Sequence, residues 1–357
     1  MCGLLILNKL CRYLTISEFG NFSLAFSFVY LAQPIVDFGM NSIAIREISR
    51  DNNNAGSLLS GVIIAKLCLA IISIFTTIAV VMMLGYKLQF QLIVLLASLS
   101  LIIFAFGAVE VIFVVNGRLI LSSFSQLVST LAQLGAVLLV INFEGTIYRL
   151  ILAYVCAGGV GSALLYLFAS RLVIFQQPDF ARLIEFIKVT IPQGIASIIV
   201  AIYFNIDAVL VSKILGNEAV AYYGAAYRFL GFMIFFPHAL LLLFLPALAR
   251  CYSNNWENFA KLFRRIFYIL MVIGVPAATW TMLYAESIVN FVYSAYYQPS
   301  VIVLKILVWG GVATFASHLF GYALVYANLQ KHGLLVSIIA LAANILANVV
   351  LIPRCGI

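Results

Sequence analysis

The sequence predicts an all-α integral membrane protein of two parallel-repeat six-helix lobes around a central cavity. Three observations carry that prediction. Hydrophobic residues make up 65% of the 357 positions and charged residues only 9%, where a soluble domain carries about 25% charged residues. The apolar residues gather into runs long enough to cross the ~30 Å hydrocarbon core as helices. The order of these runs repeats within the chain.

Taken in order, the polar breaks delimit about eleven runs, most of them of spanning length. Met1 to Leu14 is too short to span. The next five cover Gly20 to Ala44, Leu58 to Leu84, Leu88 to Val115, Leu119 to Ile141 and Ile147 to Ser170. A mixed segment follows, Arg171 to Lys188, in which Phe175, Phe180, Leu183 and Ile184 are interspersed with Gln176, Asp179, Arg182 and Glu185. It reads as an amphipathic linker lying along the cytoplasmic surface. The later runs cover Val189 to Leu215, Ala219 to Leu248, Phe263 to Tyr284, Val301 to Asn328 and Leu334 to Ile352. The domains follow: an N-terminal lobe at 1–170, the linker at 171–188 and a C-terminal lobe at 189–357.

Lysine and arginine set the orientation. Breaks after even-numbered runs carry Arg46, Arg50, Arg118, Arg171, Arg182, Lys188, Arg250, Lys261, Arg264, Arg265 and Lys331, whereas breaks after odd-numbered runs carry Arg12, Lys87, Arg149 and Lys213. The even side is therefore cytoplasmic. The net charge of +8 belongs to these loops and forms no stripe of the kind that binds nucleic acid. The six cysteines show no CxxC spacing and read as small hydrophobes rather than as a metal site or disulfides.

The repeat is visible at a shift of 201, where Gly20, Phe22 and Ala25 fall against Ala221, Tyr223 and Ala226 and both segments end at a basic residue, Arg50 and Arg250. An even number of helices per copy makes the copies parallel, related by an axis along the membrane normal. Projected through that repeat, the chain is expected to be truncated at both ends, lacking half of its first helix and all of a twelfth.

Charges inside the runs are the candidate functional residues, since a charge at membrane depth is costly unless paired or hydrated. Asp207 and Arg228 sit in adjacent runs at depths that differ by about 5 Å, counted at 1.5 Å per residue. Two readings stay open: an ion pair that fixes the hairpin, or an arginine that grips a diphosphate with Asp207 as its resting counter-ion. Asp37 and Lys66 form a similar couple nearer the cytoplasmic side by depth, with snorkelling of Lys66 to the interface as the alternative. Glu110 is a possible proton or cation site, or a solvated helix end. His238 and His318 are either coupling groups or ordinary packing residues. Pro34, Pro192, Pro237 and Pro276 punctuate the runs as kinks or hinges.

Several of these residues also carry a family resemblance. Pro192, Ile206–Asp207, Gly216, Tyr223, Ala225–Ala226, Arg228, Pro237 and the exit Pro246–Ala249 resemble the central helix pair of the polysaccharide transporter family. These are the flippases of lipid-linked oligosaccharides such as O-antigen, within the superfamily that also holds multidrug extruders and lipid II flippases. Glu18–Phe19–Gly20, Asp37–Phe38–Gly39–Met40 and Arg46 are similar to that family's second helix. The resemblance implies a two-lobed carrier around a central cavity in a bacterial inner membrane. Its partners would be a polyprenyl-diphosphate-linked oligosaccharide, membrane lipids and glycan polymerase machinery. Arg228 would contact phosphate, with Asp207, Asp37 and Lys66 as further substrate-site and gating residues and Glu110 or His318 as coupling residues.

Other readings set beside it are a cation-coupled antiporter of the same superfamily and a membrane enzyme of glycan assembly. The latter would need a large external loop, and the longest external break, Ala285 to Ser300, carries Glu286 as its one charge. No GxxxxGK[ST] segment, metal-ligand spacing or nucleophile constellation is present, so no nucleotide, cofactor, metal or catalytic residue is expected.

Overall fold

The computed structural model describes residues 2–50, 55–254, 256–293, 295–326 and 329–356; within 234–255, side chains are described at Leu241, Phe244 and Leu248 alone. Among the described residues every regular element is helical, and nine helices are long and apolar enough to cross a membrane. The chain is a multi-pass membrane protein. It divides into two compact units, Met1–Lys213 and Ile214–Ile357.

In the first unit α1 (Cys2–Tyr13) turns into α2 (Ile16–Asp37) at Thr15. The turn is a capping box. The Thr15 hydroxyl accepts from the Glu18 amide at 3.2 Å, and the Glu18 carboxylate accepts from the Thr15 amide at 3.0 Å. Two donors at the helix start are thereby satisfied. The span that begins with α2 continues through a break into α3 (Met40–Arg50), and α4 (Ala55–Met83) returns. The expected fourth run is one span in four pieces: α5 (Leu88–Ser98), α6 (Ser100–Phe106), a 3-10 turn at Gly107–Val109 and α7 (Glu110–Val115). α8 (Leu119–Asn142) and α9 (Ile147–Ala169) pack as a close hairpin. Ser122, Ser125 and Ser129 line the buried side of α8, and Ser129 donates to the Gly158 carbonyl at 3.0 Å. Small residues let membrane helices approach, since lipid gives them no hydrophobic drive to associate.

The segment expected as a surface linker divides. Residues 173–179 are non-helical, and α10 runs unbroken from Phe180 to Leu215. The cause is local. Asp179 caps the helix by accepting from the amides of Ala181 (3.1 Å) and Arg182 (3.3 Å), and no proline follows until Pro192. The first unit also ends later than the lobe boundary drawn from the repeat, because α10 touches the rest of that unit in its first half and again at its end. Leu183 and Phe186 join the core formed by Met40, Leu59, Val62 and Ile112. At the other end Lys213 donates to the Leu84 carbonyl and stacks over the Tyr86 ring at 3.7 Å, while Tyr86 donates to Ser212 at 3.1 Å.

The second unit contains α11 (Asn217–Asn254), α12 (Trp256–Leu283), α13 (Ala285–Val292), α14 (Ser300–Tyr326) and α15 (Gln330–Cys355). Ile266, Leu270, Phe315 and Leu319 form its main core between α12 and α14. The buried Tyr293 hydroxyl donates to the Ala225 carbonyl at 2.6 Å, tying the segment after α13 to α11.

Candidate functional site

The second span is interrupted where the sequence reads Asp37–Phe38–Gly39. Pro34 has no amide hydrogen, so the last turn of α2 lacks one ladder bond. Phe38 then takes a left-handed conformation (φ 44°, ψ 32°) and donates its amide to the Pro34 carbonyl at 2.8 Å. Gly39 follows at φ 72°, and the helix resumes at Met40. A helix end leaves carbonyls carrying partial negative charge. Here the Asp37 carboxylate adds a full one. Broken spans of this kind are where membrane carriers build ion and substrate sites.

The charge is answered by Lys66 of α4, whose side chain has no solvent exposure. Its ammonium donates to Asp37 Oδ1 at 2.6 Å and to Asn41 Oδ1 at 2.7 Å, and lies 5.6 Å from the centroid of the Phe104 ring. Lys66 therefore does not snorkel. Two hydrogen bonds, one of them charge-assisted, and an aromatic face replace the hydration that burial removes.

α10 closes against the same break. A Cβ at Gly39 would lie 2.7 Å from Cγ of Gln193, and one at Gly194 would lie 2.8 Å from the Phe38 ring. Positive φ and close approach thus both require glycine at 39, and the neighbouring ring requires it at 194. Pro192 sits within α10 just before this contact.

Glu110 lies at the start of α7, directly after the 3-10 turn. It is exposed, accepts a 2.5 Å hydrogen bond from the Ser122 hydroxyl, and its charge acts on Lys66. Asp37, Lys66 and Glu110 thus share one electrostatic neighbourhood. Asp207 is half-buried on α10, about 20 Å farther along the helix than Gly194 at 1.5 Å per residue. Arg228 and His318 are half-buried on α11 and α14 of the second unit, and none of these three stands without a partner. The His238 side chain lies outside the described residues.

Sequence reasoning missed Asn41, Gln193, Gly194 and the Ser122 contact. Asn41 had a usable signal, being a polar residue four positions after Asp37 in an apolar run. Gln193 and Gly194 had none beyond their place after Pro192. No group of three or more His, Cys, Asp or Glu residues that could hold a metal occurs among the described residues.

With this geometry in hand, the chain can be set beside known proteins. The profile of the family described as "Polysaccharide biosynthesis protein" matches residues 1–250, and the MatE profile matches residues 192–350. No curated protein matches the chain. The lipid II flippase MurJ in an inward closed conformation is similar at a TM-score of 0.79 and 16% identity, over 99% of this chain and 80% of that one. An inward-facing multidrug resistance MATE family transporter of the MOP superfamily is similar at 0.72 and 15% identity, over 94% and 83%. A MOP superfamily transporter from Pyrococcus furiosus is similar at 0.71 and 15% identity, over 99% and 86%. The fold is thus the one these transporters share, and the chain belongs to the polysaccharide biosynthesis protein family.

Proposed function

We infer that the protein carries a polyprenyl-diphosphate-linked oligosaccharide, an O-antigen or capsular repeat unit, from the cytoplasmic to the outer leaflet of a bacterial inner membrane. The observation that carries this reading is the solvent-free Lys66 ammonium held by Asp37 and Asn41 at a broken span, within a chain of a polysaccharide biosynthesis family. A diphosphate headgroup must leave water to cross, and fixed cations with exchangeable counter-ions lower that cost. In this reading Asp37 neutralises Lys66 at rest and yields when the spans rearrange. Arg228 supplies a phosphate contact, with Asp207 as its resting counter-ion. The lobes at 1–170 and 189–357 move against each other while the lipid tail stays in the bilayer. The protein acts as a carrier, hands its cargo to glycan polymerase machinery, and uses no cofactor.

The MatE match at 192–350 favours a second reading, a cation-coupled antiporter in which Asp37 or Glu110 binds the coupling ion. Complementation separates the two. A strain lacking its own O-antigen flippase is supplied with this protein, with Lys66→Ala or with Arg228→Ala, and membrane levels are measured alongside surface glycan. Restoration by the parent and loss in both variants at equal protein level is expected. Unimpaired flipping with Arg228→Ala removes that residue from the phosphate site. No restoration by the well-expressed parent, together with drug efflux that depends on Glu110, replaces the flippase reading with the antiporter.

A further inference from the structure

The exposed face of α12 carries a cluster of side chains outside the proposed transport site. Lys261, Arg264 and Arg265 lie in its first three turns and are exposed, Tyr268 and Val272 continue the same side, and Ile269 and Ile273 flank it; together they line a shallow hollow of about 620 Å³. With about 3.6 residues per turn, positions 261, 264, 265, 268 and 272 form one stripe. The buried positions Phe259, Ile266, Leu270 and Gly274 fall on the opposite side. The cationic stripe therefore points away from the unit's own core.

What meets this stripe is set by what lies beyond it. Tyr268 is 64% exposed, Val272 71% and Leu283 74%, so the face stays apolar toward the far end of the helix. An apolar exposed face on a spanning helix is covered by lipid tails. The charges sit at the other end, on the side that the positive-inside rule makes cytoplasmic. Trp256, exposed at the start of the helix, stands on the basic side of these charges, where aromatic residues anchor membrane proteins. Lys261 has a 2.8 Å contact with the exposed Glu257. Among the described residues neither Arg264 nor Arg265 has a carboxylate partner.

The geometry points to a binding site for one anionic glycerophospholipid of the cytoplasmic leaflet: Arg264, Arg265 and Lys261 hold the phosphate headgroup, and Tyr268, Val272 and Ile273 seat an acyl chain below it. Charge complementarity selects the headgroup, and the run of apolar side chains beneath it selects a lipid over a free anion. Two guanidiniums one residue apart offer forked donors that a zwitterionic headgroup, carrying its own ammonium, answers less well. The inference rests on the membrane embedding of α12 alone and is independent of the cargo.

The test uses the full chain carrying W256F, W280F, W309F and Y268W, so that a residue lining the site is its one tryptophan. It is reconstituted in phosphatidylcholine vesicles with an equal mole fraction of either brominated phosphatidylglycerol or brominated phosphatidylcholine. Bromine quenches that tryptophan when the lipid occupies the site. A preference for phosphatidylglycerol of roughly tenfold is expected for three cations at the headgroup level. K261Q/R264Q/R265Q should bring the ratio to about one, and Arg264→Gln alone should lower it about threefold. R118Q/R171Q/K188Q, which removes as many exposed basic-side charges elsewhere, should leave it intact. Millimolar inorganic phosphate should leave it intact as well. A preference that survives K261Q/R264Q/R265Q and Arg264→Gln overturns the site. Equal loss in the control variant reduces the effect to bulk attraction and also overturns it. Erasure by inorganic phosphate shows a free-anion site and overturns the lipid assignment.

Discussion

The second and eighth runs hold corresponding places in the repeat, yet they fold differently. The first of them breaks at Phe38–Gly39 between α2 and α3. The other is α11, a single helix over 38 residues from Asn217 to Asn254. At the shift of 201, Asp37, Asn41 and Lys66 fall against His238, Leu242 and Phe267, and Gly39 falls against Leu240. Each departure acts in the same direction. Without glycine the left-handed turn is costly, so the helix continues. Without lysine no buried cation stands opposite this position, and Phe267 instead packs on the core around Ile266 and Phe315. On the repeat expected from the sequence, the broken span and its buried cation belong to the first copy and the continuous helix to the second.

The sharpest way to break the comparison is to make the first copy resemble the second at its cation. Lys66→Ala leaves the half-buried Asp37 without its partner, which costs on the order of 3 kcal/mol for a pair of this kind. Asp37→Ala strands a lysine with no solvent exposure and should cost as much or more. Replacing both together, Asp37→Asn with Lys66→Met, should recover most of the stability while still abolishing transport. Thermal unfolding in detergent, read beside complementation, checks this. If the double variant is as unstable as either single one, the pair is not the unit that matters.

Next in size is the break itself. Gly39→Ala places a Cβ at φ 72° and within 2.7 Å of Gln193, and Gly194→Ala pushes on the Phe38 ring. Left-handed strain alone costs about 1 kcal/mol, and the clashes add to it. Both variants should lower the midpoint of unfolding, and Gly39→Ala should lower it more. A matched Gly→Ala change at Gly231, where a Cβ meets nothing within 4 Å, should be silent or stabilising, as helix propensity dictates. Equal loss at Gly231 would mean that glycine content in general, rather than the contact with α10, sets stability.

How much of this was legible follows from what each feature needs. The spans could be read because a run of apolar residues has no soluble alternative, and most observed helix ends fall within a few residues of the polar breaks. Asp37 and Lys66 could be placed at a common depth by counting along two antiparallel helices, and they meet at 2.6 Å. Their third partner, Asn41, carried only the weaker signal of a polar residue in an apolar run. Asn41 lies past a left-handed turn, where regular counting fails, and α10 reaches the break through a helix start that looked like surface linker. The amphipathic outline of residues 171–188 was real. Polar residues at the end of a long helix give the same pattern as a helix lying on the membrane, and α10 starts at the Asp179 cap and runs on to Leu215.

The Glu110–Ser122 contact predicts a smaller effect. Ser122→Ala removes a 2.5 Å hydrogen bond to an exposed carboxylate, with a cost of about 1 kcal/mol or less. Transport should slow without being lost, whereas Glu110→Gln should alter its dependence on pH or cation if Glu110 couples. Identical rates in Glu110→Gln and the parent across pH would remove it from any coupling role.

The smallest effect lies at the far end of α10, away from the break. Tyr86 stands in the turn between α4 and α5, donating to Ser212 beneath the Lys213 ammonium. Burial is the larger influence on its phenol and raises the pKa above the ordinary value of 10.0, while the Ser212 hydrogen bond works the other way. The folded state therefore holds this proton more tightly than the unfolded chain does. Its contribution to stability is whole below pH 10.0, the unfolded value, and is lost as pH rises through the folded one. Tyr86→Phe keeps the ring under Lys213 and has no proton to lose, so its stability should decline less steeply than the parent's above pH 10.0. At neutral pH the two should differ only by the lost Ser212 bond. Parallel alkaline curves would show that the turn opens before Tyr86 titrates, and that α10 is held to the first unit at the break and not at this end.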